Sequence, residues 1–409
     1  MQLFAYLESF PILHIFELLE LTLAIMIKRL LFEEAEITAR EFKIVAITGP
    51  RQSGKTTLCK HVFKNKHYVS FEDLDILEEA DSSPRSFINK YKDGAVFDEI
   101  QRVPGLFNYL QTHVDKVGKN NQYVISGSNN FLLQQNISQS LAGRAAYIEL
   151  LPLSLLELQE HWGNTKNPVF FMMNGFYPSI IAKQSSAERW LPNYLKTYIE
   201  RDVRMIRNIE NLNLFSKFVK LAAARSGQIL NVNNLANETG VDNKTISAWI
   251  SVLESSYIVY RLQPYYNSFN KRVIKSPKLY FYDVGLLCNI LGLNSERAIK
   301  QSNMYGAIFE NLVISEIKKN RFNKSQYGEM YFLRDSTGNE VDLVLEKDGN
   351  LIPVEIKSSA KYRSSDLKNL KWFQRLYRIK GGMLINQSTE NQELEDGIMN
   401  IGWAEVANV

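Results

Sequence analysis

Apolar residues along the chain fall into short runs alternating with stretches of helical period, the pattern of an α/β protein. Ile44-Val45-Ala46-Ile47 is continuous, as expected of a strand buried on both faces, and Thr57, Leu58, His61 and Val62 behind it recur at helical spacing. Further strands are predicted at Tyr68–Phe71, Tyr123–Ile125 and Ala146–Leu150, with another over Ala95-Val96-Phe97. Residues 235–247 read as a helix, a tight turn at Gly240 and a second helix capped at Asp242 or Asn243. That second helix continues through Trp249, Ile250, Val252 and Leu253, and Tyr257–Leu262 follows as a hairpin wing. Near the C-terminus an apolar helix (Leu312, Val313, Ile317) precedes two strands joined by the turn Asp348-Gly349-Asn350.

The stretch Phe10 to Ile27 is strongly apolar, but Glu17 and Glu20 interrupt it and no basic segment precedes it. Neither a membrane helix nor a secretory signal is expected, and no membrane partner. Met26-Ile27-Lys28-Arg29 reads as a natural beginning, so residues 1–25 are expected to be an over-called start or an amphipathic appendage. A length of 409 residues exceeds one core. The expected division is an ATPase-like unit at 26–160, a helical unit with a winged helix-turn-helix at 161–300, and a third unit at 301–409.

Hydrophobic content of 45% with 22% charged residues excludes disordered and collagenous classes. Cys59 and Cys288 lie far apart, which offers neither a disulfide framework nor a metal-ligand spacing, and a reducing, cytoplasmic setting is expected. Charge is uneven. The whole chain carries +4, yet Lys196 to Lys278 holds thirteen Lys and Arg against six Asp and Glu.

Chemistry enters after the first strand. Gly49, Pro50, Arg51, Gln52, Ser53, Gly54, Lys55, Thr56 and Thr57 fit G-x-x-x-x-G-K-[ST], in which backbone N–H groups cradle phosphates, the lysine reaches the β/γ-phosphates and the hydroxyl holds Mg²⁺. ATP and Mg²⁺ are the expected ligands. Asp98 and Glu99 close a later strand; one organises the Mg²⁺ shell and the other positions and deprotonates the attacking water. Ser126-Gly127-Ser128-Asn129 ends the next, where Ser128 is placed to sense the γ-phosphate. The extra strand at Tyr68–Phe71, set between the two carrying these motifs, suits the additional-strand, catalytic-glutamate ATPases. Arg144 reads either as a charge-stabilising guanidinium, in cis or from a neighbouring subunit, or as a salt-bridged surface residue.

Within the basic middle, Asn243, Lys244 and Ser247 would face a DNA groove while Arg261, Lys271 and Arg272 hold phosphates; the alternative is a winged helix used for protein packing. At the C-terminus, Glu355 and Lys357 share a strand face and Asp342 sits opposite, a pattern able to hold a divalent metal and orient water for phosphodiester attack, with Glu310 completing the shell. Lys357 to Lys380 contains eight basic residues against one acidic, interleaved with Tyr362, Trp372, Phe373 and Tyr377. That suits a nucleic-acid surface or an amphipathic helix whose aromatics face the core.

The Asp342, Glu355, Lys357 spacing resembles the PD-(D/E)xK nuclease superfamily, with Val341 where the motif's proline usually stands. Taken with Gly49–Thr56, Asp98-Glu99-Ile100-Gln101, Ser140–Arg144, Leu151-Pro152-Leu153-Ser154, Glu200-Arg201-Asp202, Ser276–Phe281 and Asn339–Lys357, the chain from Met26 onward resembles a prokaryotic family of AAA-type ATPases with a C-terminal region of unknown function. The resemblance implies a P-loop parallel sheet between helices, a helical or winged-helix part and a restriction-endonuclease-like α/β part. It also implies ATP binding and hydrolysis. Two tasks fit: an ATPase acting on nucleic acid and coupled to a metal-dependent nuclease-like domain, or an ATP-dependent switch, binding DNA or protein, whose nuclease-like domain is inert. Assembly into oligomers would be required if Arg144 acts in trans.

Overall fold

The computed structural model describes residues 27–409 except 129–132, 134–136, 138, 164–165, 184, 204–208, 210, 266–273, 327 and 329, and omits the side chains of 200–202 and 408. The expectations for residues 1–25, Asn129, Lys271, Arg272 and the Glu200-Arg201-Asp202 side chains therefore lie outside the described residues. Helix α1 (Leu31–Glu41) leads into β1 (Ile44–Thr48) and α2 (Lys55–Val62). Strands β2 (His67–Ser70), β3 (Ala95–Asp98), β4 (Tyr123–Gly127) and β5 (Ala145–Glu149) complete a parallel sheet in the order β2-β3-β4-β1-β5. Both faces are covered. Val45 and Ile47 pack with α1 and α2 through Leu31, Ala35 and Leu58, while Ile44 and Ala46 point into a second cluster with Phe97, Ile125 and Leu110. This is the P-loop NTPase arrangement of a parallel sheet flanked by helices.

The strand expected at Tyr68–Phe71 is present as β2, but it does not lie between β1 and β3 in the sheet; β4 does. Burial explains the difference. All five β4 residues are buried, as a central strand requires, whereas β2 is exposed or half-exposed at three of four positions and suits an edge.

After α3 (Leu155–Trp162) and α4 (Ala187–Thr197), helices α5 (Leu212–Ala223), α6 (Val232–Thr239) and α7 (Asn243–Ser255) pack together around Phe215, Phe218, Leu235, Ile246 and Trp249. Gly240 (φ +87°) supplies the left-handed residue that ends α6, and the Asp242 carboxylate caps α7 by accepting from Thr245 N at 2.9 Å. Strand β6 (Val259–Pro264) then pairs antiparallel with β7 (Lys278–Phe281). The pair is not a free wing. Beyond Leu262, β6 runs parallel to β8 (Met330–Arg334), so both strands join β9 (Glu340–Lys347), β10 (Asn350–Ile356), β11 (Gly382–Asn386), β12 (Gln392–Glu393) and β13 (Ile398–Gly402) in one eight-stranded mixed sheet. The 19-residue helix α8 (Tyr305–Asn323) crosses behind it, and α9 (Lys368–Tyr377) covers its middle strands β9 and β10. One apolar core extends from Leu151 through α5 to α8 and into this sheet. No helix among the described residues is long and apolar enough to cross a membrane.

Candidate active site

The phosphate loop bends where only small residues fit. Gly49 has φ +145° and a Cβ there would lie 2.1 Å from the Leu150 carbonyl oxygen; Gly54 (φ +97°) starts α2. Buried Lys55 donates to the Gly49 and Pro50 carbonyl oxygens at 2.9 and 2.8 Å. Burial pulls its ammonium below the ordinary lysine range, against the opposing pull of Glu99 and Asp98. Thr56 Oγ1 donates to Asp98 Oδ2 at 2.9 Å, and Ser126 and Tyr68 also donate to that carboxylate. Glu99, in the left-handed region at φ +56°, accepts from Gln101 Nε2 (2.5 Å) and Ser128 Oγ (3.2 Å). The β3–β4 register, Asp98 beside Ser126, is what lets a β4-end hydroxyl reach a β3-end carboxylate.

Arg51, Gln52, Gly54, Lys55, Thr56, Thr57, Asp98, Glu99 and Ser128 thus line one cleft of about 550 Å³ at the C-terminal ends of the parallel strands. Its opposite wall comes from Pro178, Ser179, Lys183 and α4, with Trp190 stacked on Tyr194 (centroids 4.9 Å apart). Gly54, Thr57, Pro178 and Lys183 also border a second, largely apolar cavity of about 590 Å³ walled by Ile27, Phe32, Leu58 and Leu153. The two cavities meet at the N-terminal turn of α2. Donor set and shape fit a nucleoside triphosphate with Mg²⁺: amides and an ammonium for the anion, Thr56 and Asp98 for the cation.

Sequence reasoning missed this second wall, and it missed Arg29. The Arg29 guanidinium donates to Ser53 O and Leu151 O, both at 2.7 Å, and to Glu157 Oε1 at 2.8 Å, pinning the phosphate loop to α3. Glu157 closes a capping box with Ser154, so its carboxylate is held in place. Only the Ser154-Leu155-Leu156-Glu157 box was readable from sequence spacing; its distant partner was not.

Arg144 does not reach the cleft. Its guanidinium forms a two-point ion pair with Asp115 (2.7 Å at Nε and at Nη2) on the far side of the sheet's β5 end. Arg261 is likewise engaged, by Glu254 at 2.7 and 2.6 Å, and Ser247 Oγ donates to its own helix at Asn243 O. Asn243 and Lys244 stay exposed at the start of α7, Asn243 bonded to Asn233 at 2.6 Å. Of the aromatics in 357–380, Phe373 is buried and Trp372 and Tyr377 pack partly against the sheet, while Tyr362 is exposed beside Lys361 and Arg363.

In the large sheet, the register that sets Val354 against Leu343 brings Asp342 opposite Glu355. Asp342 Oδ2 accepts from Ile356 N at 2.8 Å; Glu355 Oε1 meets Lys357 Nζ at 2.6 Å and Asn369 at 3.3 Å, and Glu355 Oε2 is buried without a partner. Burial first, then Asp342, pushes the Glu355 carboxyl up to about 8. The expected third ligand departs from the pattern. Glu310 bonds Tyr280 and Lys278, the latter at 3.2 Å, and burial pushes its carboxyl up to about 7. Among the described residues no three His, Cys, Asp or Glu side chains converge as a metal group. Lys278 and Tyr280 instead engage the Glu310 carboxylate, both at Oε1.

Residues 41–159 match the family model described as AAA domain, 167–297 a domain of unknown function (DUF8612) and 305–406 another (DUF4143). An uncharacterized protein of Mycobacterium tuberculosis is 28% identical over 321 residues, covering 78% of this chain and 70% of its own length. One from Methanocaldococcus jannaschii is 27% identical over 356 residues, covering 78% of this chain and 76% of its own. Among solved structures, the Walker-type ATPase of Pyrococcus abyssi aligns with 64% of this chain and 94% of its own at 11% identity, with a TM-score of 0.43. By the family model, residues 41–159 are similar to an AAA domain.

Proposed function

We propose that this AAA-type protein binds ATP with Mg²⁺ in the cleft over α2 and hydrolyses it, and that the cycle serves nucleic acid. The observation that carries the reading is the convergence of Lys55, Thr56, Asp98, Glu99 and Ser128, from three separate segments, on one cleft. Lys55 and the 49–56 amides hold the β- and γ-phosphates, and the adjoining apolar cavity takes the base. Mg²⁺ held by Thr56 and Asp98 would neutralise charge developing between the β- and γ-phosphates. Glu99 orients a water in line with the γ-phosphorus and accepts its proton as the water oxygen bonds to phosphorus and the bond to the ADP oxygen breaks. Gln101 and Ser128 steer Glu99. Arg144, engaged by Asp115 within one chain, would contribute only across an assembly.

Phosphate release from ATP by the full chain tests this. Glu99→Gln is expected to retain ATP binding while the rate falls by about 10²–10⁴, the usual contribution of a general base; an unchanged rate sinks the assignment. For nucleic acid, the supporting features are the exposed Asn243 and Lys244 and the exposed cations Lys361, Arg363, Lys368, Arg375 and Arg378. Affinity for duplex DNA is expected to fall steeply with salt. A flat response would leave protein packing as the role of these helices.

A second reading is metal-dependent phosphodiester cleavage at Asp342, Glu355 and Lys357. It is favoured by one feature, the unpartnered buried Glu355 oxygen beside Lys357. Cleavage of DNA with Mn²⁺, abolished by Lys357→Ala with ATP turnover intact, is its test; without cleavage the domain acts as a scaffold for an ATP-driven switch.

A further inference from the structure

The turn that ends α7 is closed by a residue of the wrong kind. Tyr257 N donates to Glu254 O at 3.0 Å and Ile258 N to Leu253 O at 2.9 Å, the pair of bonds by which a helix closes on a left-handed residue. Glycine usually stands there, because a Cβ is disfavoured in that conformation. Tyr257 occupies the position instead, at φ +58°, and is the only aromatic among the described non-glycine residues with such a backbone. Gln52 and Glu99, of the nucleotide cleft, share that conformation. Residues stay in strained conformations when their surroundings over-determine them.

The surroundings of Tyr257 are the strand ends beneath the phosphate loop. Tyr257 is 2% exposed, and its hydroxyl lies 2.8 Å from the buried Thr48 Oγ1, with the Glu149 carboxylate as a second partner. Thr48 and Glu149 are the last residues of β1 and β5 and lie opposite each other in the ladder. An ionised carboxylate only accepts, so the phenol donates to Glu149 and accepts from Thr48. Gly49 comes next and has little room: its carbonyl oxygen accepts from Lys55 Nζ at 2.9 Å, and a Cβ on it would meet Leu150 O at 2.1 Å. The phosphate loop therefore begins where the ends of β1 and β5 stand, and a hydroxyl from 209 residues along the chain holds those ends together.

We propose that Tyr257 is a positioning residue of the nucleotide site, fixing through Thr48 and Glu149 the strand ends from which the phosphate loop springs, and that nucleotide affinity depends on the placement of α7. The inference rests on the ATP reading of the cleft. The closed turn makes Tyr257 part of the rigid end of α7, so a shift of that helix draws the phenol away from Thr48. By linkage, whatever factor the placement of α7 imposes on ATP affinity, ATP imposes on α7. The ring itself packs beside Tyr282 in the apolar core, so the hydroxyl can be removed without emptying the core.

Titration of the full chain with a fluorescent ATP analogue is the first measurement. Tyr257→Phe and Thr48→Val are each expected to weaken binding about fivefold, the loss of one buried hydrogen bond, and the double variant to lose little more than either alone. The second measurement is amide hydrogen exchange over residues 243–255 in the Glu99→Gln background, which is expected to hold ATP uncleaved. Saturating ATP with Mg²⁺ is expected to slow exchange there, and to leave it unaltered once Tyr257→Phe is added. A purely structural tyrosine would move thermal stability and neither of these. Wild-type affinity in either single variant, losses that simply add, or the same exchange response with and without the hydroxyl overturns the proposal. If Tyr257→Phe does not fold, Thr48→Val alone decides, unchanged affinity overturning it. Wild type that binds no ATP removes the reading of the cleft itself, and the inference with it.

Discussion

Two buried lysines, Lys55 and Lys278, each lie near carboxylates and are held in opposite ways. Lys55 rests on the neutral carbonyls of Gly49 and Pro50, with Asp98 and Glu99 engaged instead by Thr56, Tyr68, Ser126, Gln101 and Ser128. A phosphate can claim that ammonium at the cost of two weak acceptors. Lys278 is bound by Glu310 and Glu340 directly. Charge-assisted contacts in a buried setting are much harder to exchange. The first arrangement suits a ligand that comes and goes; the second suits a fixed structural pair.

That contrast can be broken experimentally, most forcefully at Lys278. Lys278→Met leaves Glu310 without its cation and Glu340 with Arg334 alone, and a loss of about 3 kcal/mol is expected, the low end for breaking a buried pair because both glutamates keep some water. Urea unfolding checks it, and a loss below 1 kcal/mol would make Lys278 a bystander, that threshold being the value of an exposed pair, about 0–1 kcal/mol. Lys55→Ala should barely alter stability but weaken ATP binding by about 10²-fold or more, as for removal of a single charge-stabilising donor in a closed site; fluorescent-nucleotide titration decides. Together the two variants should separate structure from function cleanly.

Helix α8 runs from the Lys278 pair to Leu155, and a smaller effect is expected there. This helix carries Glu310 at one end, and further along Glu316, which accepts from Leu155 N at 2.5 Å and from Lys319 at 2.6 Å beneath the ATPase part. Burial pushes the Glu316 carboxyl above its ordinary value, with Lys319 opposing. The folded chain then binds a proton that the unfolded chain releases once pH exceeds about 4.5, the ordinary carboxyl range. Stability from this group is complete below that value and declines as pH rises through the raised folded value. Glu316→Gln should flatten the decline, by at most about 1.4 kcal/mol per pH unit. An unaltered pH profile would remove Glu316 from the account. The smallest effect belongs to Arg144→Ala: its pair with Asp115 is exposed and outside the cleft, so turnover by dilute protein should match wild type. A concentration-dependent loss would instead point to action across subunits.

Several elements were legible because their causes are local. The continuous run Ile44–Ile47, the glycines at 49 and 54, and the Gly240 turn with its Asp242 cap each depend on neighbours within a few residues. The Asp342–Glu355 pairing was also legible, since one short turn and period-two alternation fix it. Other side chains were claimed by partners that the local pattern does not name. Arg261 meets Glu254 and Arg144 meets Asp115, contacts no spacing rule announces. The supposed wing became part of an eight-stranded sheet because β6 found β8, some seventy residues away.

What the sequence determined by itself is the phosphate loop with its two following carboxylates, because a loop that must turn tightly around an anion admits few residue types at fixed spacing. Tertiary structure alone decided what stands across from those motifs. Arg29 behind the loop, the Trp190–Tyr194 wall and Lys278 among the carboxylates arrive from distant segments. Charge and burial draw such partners together only when the whole core has formed, and no local pattern records the meeting.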